Sequence, residues 1–143
     1  MKRHATAVWQ GTGKEGNGNI SSESKALDHA KYSYTSRFED GPGTNPEELV
    51  AAAHAGCFTM KLSFNIDKAG FKADNLETKC YITFEGGAVT ESHLVIKAIV
   101  PGMDKEKFNE AVEDARLNCP MSKLLKTDIT ADATLVGGFE AQS

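Results

Sequence analysis

A few residues of this chain are equipped to do chemistry: Cys57, Cys119, Cys80, His54, and the charged Arg37, Glu47 and Glu48. A cysteine acts as nucleophile or metal ligand only as the thiolate, so the surroundings of each thiol decide its role. Cys119 directly precedes Pro120, which suits the first position of a helix. There backbone N–H groups and the helix dipole favour a thiolate. Cys57 follows Glu47, Glu48 and His54 in one segment, with Arg37 upstream. An arginine reaching it would draw its thiol pKa from about 8.5 toward neutrality. Each cysteine also has a plain packing explanation, because free cysteine is among the most buried residue types. For Cys80, flanked by Thr78, Ile82 and Phe84 on the inward face of a strand pattern, an inert buried thiol is the expectation. For Cys57 and Cys119 both readings stay open.

His54 precedes Cys57 by three residues, so both share one helix face. H-x-x-C could be half of a metal site, but His4, His29 and His93 occur singly and no second pair matches it. A histidine filling a helix–helix contact is the simpler expectation. Glu47 and Glu48 suit the first turn of a helix by charge alone. Glu47 precedes Cys57 by ten residues, about 15 Å along a helix axis. If it belongs to a site with Cys57, it comes from a second subunit or works by holding Arg37. Arg37 serves equally well as a solvated surface residue.

The elements that must position these groups can be read from the periodicity. Residues 3–10 alternate as a strand, residues 19–24 suit a second, and residues 32–38 a third, with Tyr32, Tyr34, Ser36 and Phe38 on one face. Short polar links make these an antiparallel meander. A helix is expected from Pro46 to about Ala69, with Asn45 as cap, Glu48 completing a capping box and Gly70 past its end. It is apolar on every side, which marks a buried helix. Strands are expected over 76–84, 93–100 and 128–136, with a helix from Asp104 to Cys119 and a short one over 120–125. The chain from Gly137 reads as a loose tail. The layout is α+β, one domain over 1–143. A monomer of this size would struggle to cover such a helix, so a dimer packing these helices together is expected.

Composition narrows the function. Net charge is −4, so no broad basic surface for nucleic acid or anionic membrane is expected. His54, Thr59, Lys61, Ser63 and Asn65 interrupt the apolar helix too often for a bilayer span. The polar, alternating first ten residues do not read as a signal peptide. Three cysteines, an odd number, suit a reducing, cytoplasmic setting better than a disulfide framework.

Asn45-Pro46-Glu47-Glu48-Leu49, then Ala53-His54-Ala55-Gly56-Cys57-Phe58, and Asn118-Cys119-Pro120 with Ser122 together resemble the OsmC/Ohr family of hydroperoxide reductases, in its OsmC branch. The likeness runs over essentially the whole chain, with Gly56 standing where an alanine is frequent. It implies an intertwined homodimer, with antiparallel sheets wrapped around long buried central helices. It implies a thiol peroxidase with Cys57 as the peroxidatic and Cys119 as the resolving cysteine, and Arg37 and Glu47 as the charged pair that activates Cys57. Organic hydroperoxides would be preferred over hydrogen peroxide. No metal or other cofactor would be needed, and a dithiol, often one on a lipoylated protein, would recharge the enzyme. In such a site Phe58, Leu49 and Met60 would supply the apolar surroundings of the substrate. Two other classes compete. A non-catalytic carrier of apolar ligands would need its cysteines only for packing. A metal-binding redox sensor would use His54, Cys57 and Cys119.

Overall fold

The structure is a computed structural model that describes residues 1–136; the expected loose tail from Gly137 lies outside the described residues. Two compact units divide the chain, Met1–Leu49 and the remainder from Val50.

In the first unit, β1 (Ala5–Gln10), β2 (Asn17–Ser22) and β3 (Ala30–Tyr32) form an antiparallel sheet in the order β1-β2-β3. The expected meander is therefore present, with its third strand shorter and earlier than its alternation suggested. Gly18 sits where a Cβ would strike the Val8 carbonyl and the rings of Trp9 and Tyr32. Those rings pack against each other with centroids 5.3 Å apart. Residues 34–38 correct the sequence reading: Tyr34–Phe38 is a helical turn, α1, not a strand. Ser33 caps it. The Ser36 N–H donates to Ser33 Oγ at 3.2 Å, and the Ser33 N–H donates to Ser36 Oγ at 2.8 Å. Tyr34 and Phe38 also lie four residues apart, the helical spacing, and their ring centroids are 4.9 Å apart. A polar pair placed to cap outweighs a period-two pattern over so short a stretch.

Helix α2 (Pro46–Lys68) opens in this unit. The Glu48 N–H donates to Asn45 Oδ1 at 2.7 Å, so Asn45 caps as expected. The reciprocal half of the box is absent: the Glu48 carboxylate instead accepts the Thr44 hydroxyl at 2.7 Å. Asn45 Nδ2 donates to the Ser36 carbonyl at 3.1 Å and so ties α1 to the start of α2.

In the second unit α2 runs on to a glycine-terminated end. Gly70 has φ +92°, the Phe71 N–H donates to the Ile66 carbonyl, and the Gly70 N–H donates to that of Asp67. His54, Phe58, Leu62 and Ile66, four residues apart, form its one buried stripe. Met60 and Phe64 are 65% and 58% exposed. The all-round burial expected from composition is thus not met within one chain. One sheet and one helix can cover only one side.

That sheet has the order β4-β5-β6, with β4 (Asn75–Glu85), β5 (Ala88–Ile99) and β6 (Asp128–Val136). β5 starts at Ala88 because Gly86 and Gly87, at φ +59° and +81°, make a two-residue hairpin that pairs Glu85 with Ala88 at once. β6 runs parallel to β5, so the expected antiparallel sheet is mixed. The crossover through α3 (Lys105–Asn118) and α4 (Pro120–Leu124) returns the chain in the same direction. Asp104 caps α3, accepting the Lys107 N–H at 3.3 Å. Leu94, Ile96 and Ala98 of β5 meet Phe58, Leu62 and Ile66 of α2, Phe108 and Ala115 of α3, and Leu135 of β6 in one core. Arg116 pins α3 to β6 through the Ile129 carbonyl at 2.8 Å, and Asn65 of α2 donates to the Ala111 carbonyl of α3 at 3.0 Å.

Candidate active site

Cys119 is the joint between α3 and α4. Its N–H ends α3 on the Ala115 carbonyl, and its sulfur caps α4 by accepting the Ser122 N–H at 3.4 Å. The side chain is fully buried. Cys57, half-buried on α2, packs against the core that holds Cys119, near enough to Cys119 and to the Met121 N–H for both to influence its thiol. Burial pushes the Cys57 thiol up. The Met121 N–H works against this, and the neighbouring Cys119 sulfur adds to it. Cys57 therefore needs a further positive group to be a thiolate at neutral pH.

His54, one turn before Cys57, is fully buried. Its Nδ1 lies 2.6 Å from Ser92 Oγ on β5, and its Nε2 lies 2.8 Å from Ser122 Oγ on α4. The histidine therefore makes the expected helix–helix contact, from α2 to α4, and reaches strand β5 as well. Burial without an opposing charge lowers its pKa and keeps the imidazole neutral. Ser122 Oγ is also 3.1 Å from Cys119 Sγ, and Ser92 Oγ is 3.2 Å from Cys80 Sγ. Burial raises the Cys80 thiol too. Among the described residues no buried side-chain nitrogen or oxygen lacks a partner.

Arg37 and Glu47 meet within the first unit. Arg37 Nε and Nη2 donate to the two Glu47 carboxylate oxygens, both at 3.1 Å. This two-point pairing fixes the guanidinium more firmly than one contact would. Arg37 thus pairs with Glu47 in the first unit, and Cys57 packs against the core that holds Cys119 in the second. Of the expected apolar surroundings, Leu49 closes the first unit, Phe58 is wholly enclosed in the core, and Met60 is exposed. Met60 lines an open cleft of about 760 Å³ between α2 and the start of β4, with Gly56, Thr59, Ser63, Leu76 and Thr78. Sequence reasoning missed Ser92, although its place in the inward row Ser92-Leu94-Ile96-Ala98 pointed to a buried polar partner. Among the described residues no group of three or more His, Cys, Asp or Glu side chains is placed to hold a metal ion, and no helix is long and apolar enough to cross a membrane.

The family model for OsmC-like proteins matches residues 39–134. The chain belongs to the OsmC family. Peroxiredoxin OsmC of Escherichia coli strain K12 is 40% identical over 139 residues, spanning 94% of this chain and 97% of that protein. An organic hydroperoxide resistance protein of Xanthomonas axonopodis pv. citri is 34% identical over 145 residues, spanning 92% of each. The OsmC fold is also seen in the solved OsmC-like protein of Mycoplasma pneumoniae, with a TM-score of 0.75 at 14% identity, covering 95% of this chain and 98% of that one. OhrB of Bacillus subtilis shares it with a TM-score of 0.60 at 24% identity, covering 93% and 98%.

Proposed function

We propose that this OsmC-family chain is a two-cysteine peroxidase that reduces organic hydroperoxides to alcohols, hydrogen peroxide less well, in defence against oxidative and osmotic stress. The observation that carries the reading is the packing of Cys57 on α2 against the core that contains Cys119, at the start of α4. The names of the two relatives, a peroxiredoxin and a hydroperoxide resistance protein, support it. Cys57 attacks the distal peroxide oxygen as a thiolate. The O–O bond breaks, the alkoxide takes a proton and leaves as alcohol, and Cys57 becomes a sulfenic acid. Cys119 then attacks the Cys57 sulfur, water departs, and a disulfide forms. A dithiol, such as one carried on a lipoylated protein, returns both thiols.

Burial alone holds Cys57 as a thiol, so the mechanism needs a cation. We assign that role to Arg37, held by Glu47, which favours both the thiolate and the charge developing on the peroxide. The chain works in the cytoplasm as a homodimer in which a second copy covers the exposed Met60 and Phe64. The apolar part of the substrate rests against Leu49 and Met60, since Phe58 is fully buried. Consumption of cumene hydroperoxide and of hydrogen peroxide, with dihydrolipoamide as reductant, tests the reading. Faster turnover of the organic peroxide, abolished in Cys57→Ser, is expected. Equal activity of Cys57→Ser and wild type refutes it.

A further inference from the structure

Closing the disulfide makes a demand that Cys57 and Cys119 do not meet by themselves. Cys119 must lose a proton inside a fully buried site. A continuous line of side chains leads away from its sulfur: Cys119 Sγ to Ser122 Oγ at 3.1 Å, Ser122 Oγ to His54 Nε2 at 2.8 Å, and His54 Nδ1 to Ser92 Oγ at 2.6 Å. Ser92 Oγ continues to Cys80 Sγ at 3.2 Å. One assignment of hydrogens satisfies every link. Cys119 S–H donates to Ser122, the Ser122 hydroxyl donates to Nε2, Nδ1–H donates to Ser92, and the Ser92 hydroxyl donates to Cys80. Ser92 then fixes the tautomer that leaves Nε2 free to accept.

We propose that Ser122 and His54 form a proton relay that takes the thiol proton of Cys119 as its sulfur closes onto Cys57. The proposal rests on the peroxidase reading and concerns its second step. The Cys119 proton passes to Ser122 Oγ while the Ser122 proton passes to His54 Nε2. The Cys119 sulfur forms the S–S bond to the Cys57 sulfenic acid and the Cys57 S–O bond breaks. The departing hydroxide takes a proton from His54 by way of Ser122 and leaves as water. The Cys119 sulfur rises from the thiol to the disulfide level, the Cys57 sulfur falls from the sulfenic to the disulfide level by an equal step, and no further reactant is needed. Ser122 touches the reacting sulfur and is the catalytic member. His54 acts through it and is the positioning residue, holding the proton only until the departing hydroxide takes it. The Ser122 N–H, 3.4 Å from Cys119 Sγ, adds a fixed donor to the emerging thiolate. The titratable groups nearest this line among the described residues are thiols, Cys57 and Cys119 at one end and Cys80, 4.0 Å from Nδ1, at the other, while Glu91, Arg116 and Asp128 line the pocket that Ser122 also lines. The neutral imidazole that burial favours is the form the relay requires.

A positioned proton acceptor typically contributes about 10²-fold or more, so losing the relay should slow closure by about tenfold or more. The test follows a single turnover of the reduced full chain with cumene hydroperoxide, between pH 6 and 8.5. Dimedone trapping reports Cys57 sulfenic acid, and quenched mass spectrometry reports the disulfide. In Ser122→Ala, sulfenic acid still forms, but closure at pH 7 falls about tenfold or more. Its rate then climbs with pH toward that of a free thiol, while wild-type closure stays flat. Ser122→Thr, which restores a hydroxyl, recovers the flat profile, and His54→Gln behaves like Ser122→Ala. If Ser122→Ala forms sulfenic acid and closes with the wild-type rate and profile, the relay is overturned and the peroxidase reading stands. If Ser122→Thr is as slow as Ser122→Ala, the hydroxyl is not the agent and the relay is overturned. If wild-type Cys57 forms no sulfenic acid, the peroxidase reading falls, and the relay with it.

Discussion

Acid should weaken this protein through His54 before it reaches most carboxylates. The imidazole is fully buried and bonded to two neutral hydroxyls. The thiols near it, Cys57 and Cys80, are themselves pushed toward their neutral forms. No anion in this set compensates a charged ring, and its pKa falls below the usual 6.5. The unfolded chain therefore takes up a proton near pH 6.5 that the native chain refuses. The stabilisation is complete above about pH 6.5 and is lost as pH falls toward the depressed native value, at about 1.4 kcal/mol per pH unit at most. A chain of 143 residues has an unfolding entropy of about 300 cal/mol/K, so this slope is about 4–5 °C in Tm per unit. Thermal unfolding of wild type and His54→Gln, measured between pH 7.5 and 5, isolates the effect. The amide can still hydrogen bond and does not titrate. Wild type should lose stability relative to the variant as pH falls below about 6.5, by no more than about 1.4 kcal/mol per pH unit. Parallel curves across that range would refute the assignment of a buried, uncompensated imidazole.

Two other substitutions separate support from chemistry. Glu47→Gln removes one partner of a part-exposed ion pair, so stability should change by less than about 1 kcal/mol, while oxidation of Cys57 by an organic hydroperoxide should slow about tenfold or more. Stopped-flow oxidation rates beside urea unfolding curves check both halves. Phe58→Ala opens a cavity in a fully enclosed part of the core and should cost about 3–5 kcal/mol. Denaturant midpoints measure that loss, and a change in peroxide selectivity without it would contradict the placement of Phe58.

The sequence was most legible where one local signal did one job. Asn45-Pro46 and Asp104 each begin a helix where they were expected to, and the alternation over 128–136 marked β6 to the residue. Cys119-Pro120 was legible as a junction because a proline that ends one helix pattern can open the next. Residues 34–38 were misleading because Tyr34 and Phe38 satisfy both the strand and the helical spacing, and only the Ser33–Ser36 hydrogen bonds decide between them. The direction of β6 depends on the length of the crossover, which no pattern within the strand encodes. Burial of α2 was overstated because hydropathy counts apolar residues without saying what covers them; Met60 and Phe64 are apolar and exposed. In the site, Cys57, Cys119 and His54 stood out by residue type. Their connection could not, since Ser92 and Ser122 lie 38 and 68 residues from His54 and meet it only through the fold.

The central claim is that Cys57 and Cys119 form a redox pair. Adding about one equivalent of cumene hydroperoxide to the fully reduced protein and mapping its disulfides by mass spectrometry, beside Cys57→Ser, addresses it directly. The account predicts a rapid Cys57–Cys119 bridge in wild type, with Cys80 left as a thiol, and no bridge in the variant. Cys57 remaining a free thiol after peroxide treatment, or a bridge that forms as readily in Cys119→Ser as in wild type, would contradict it.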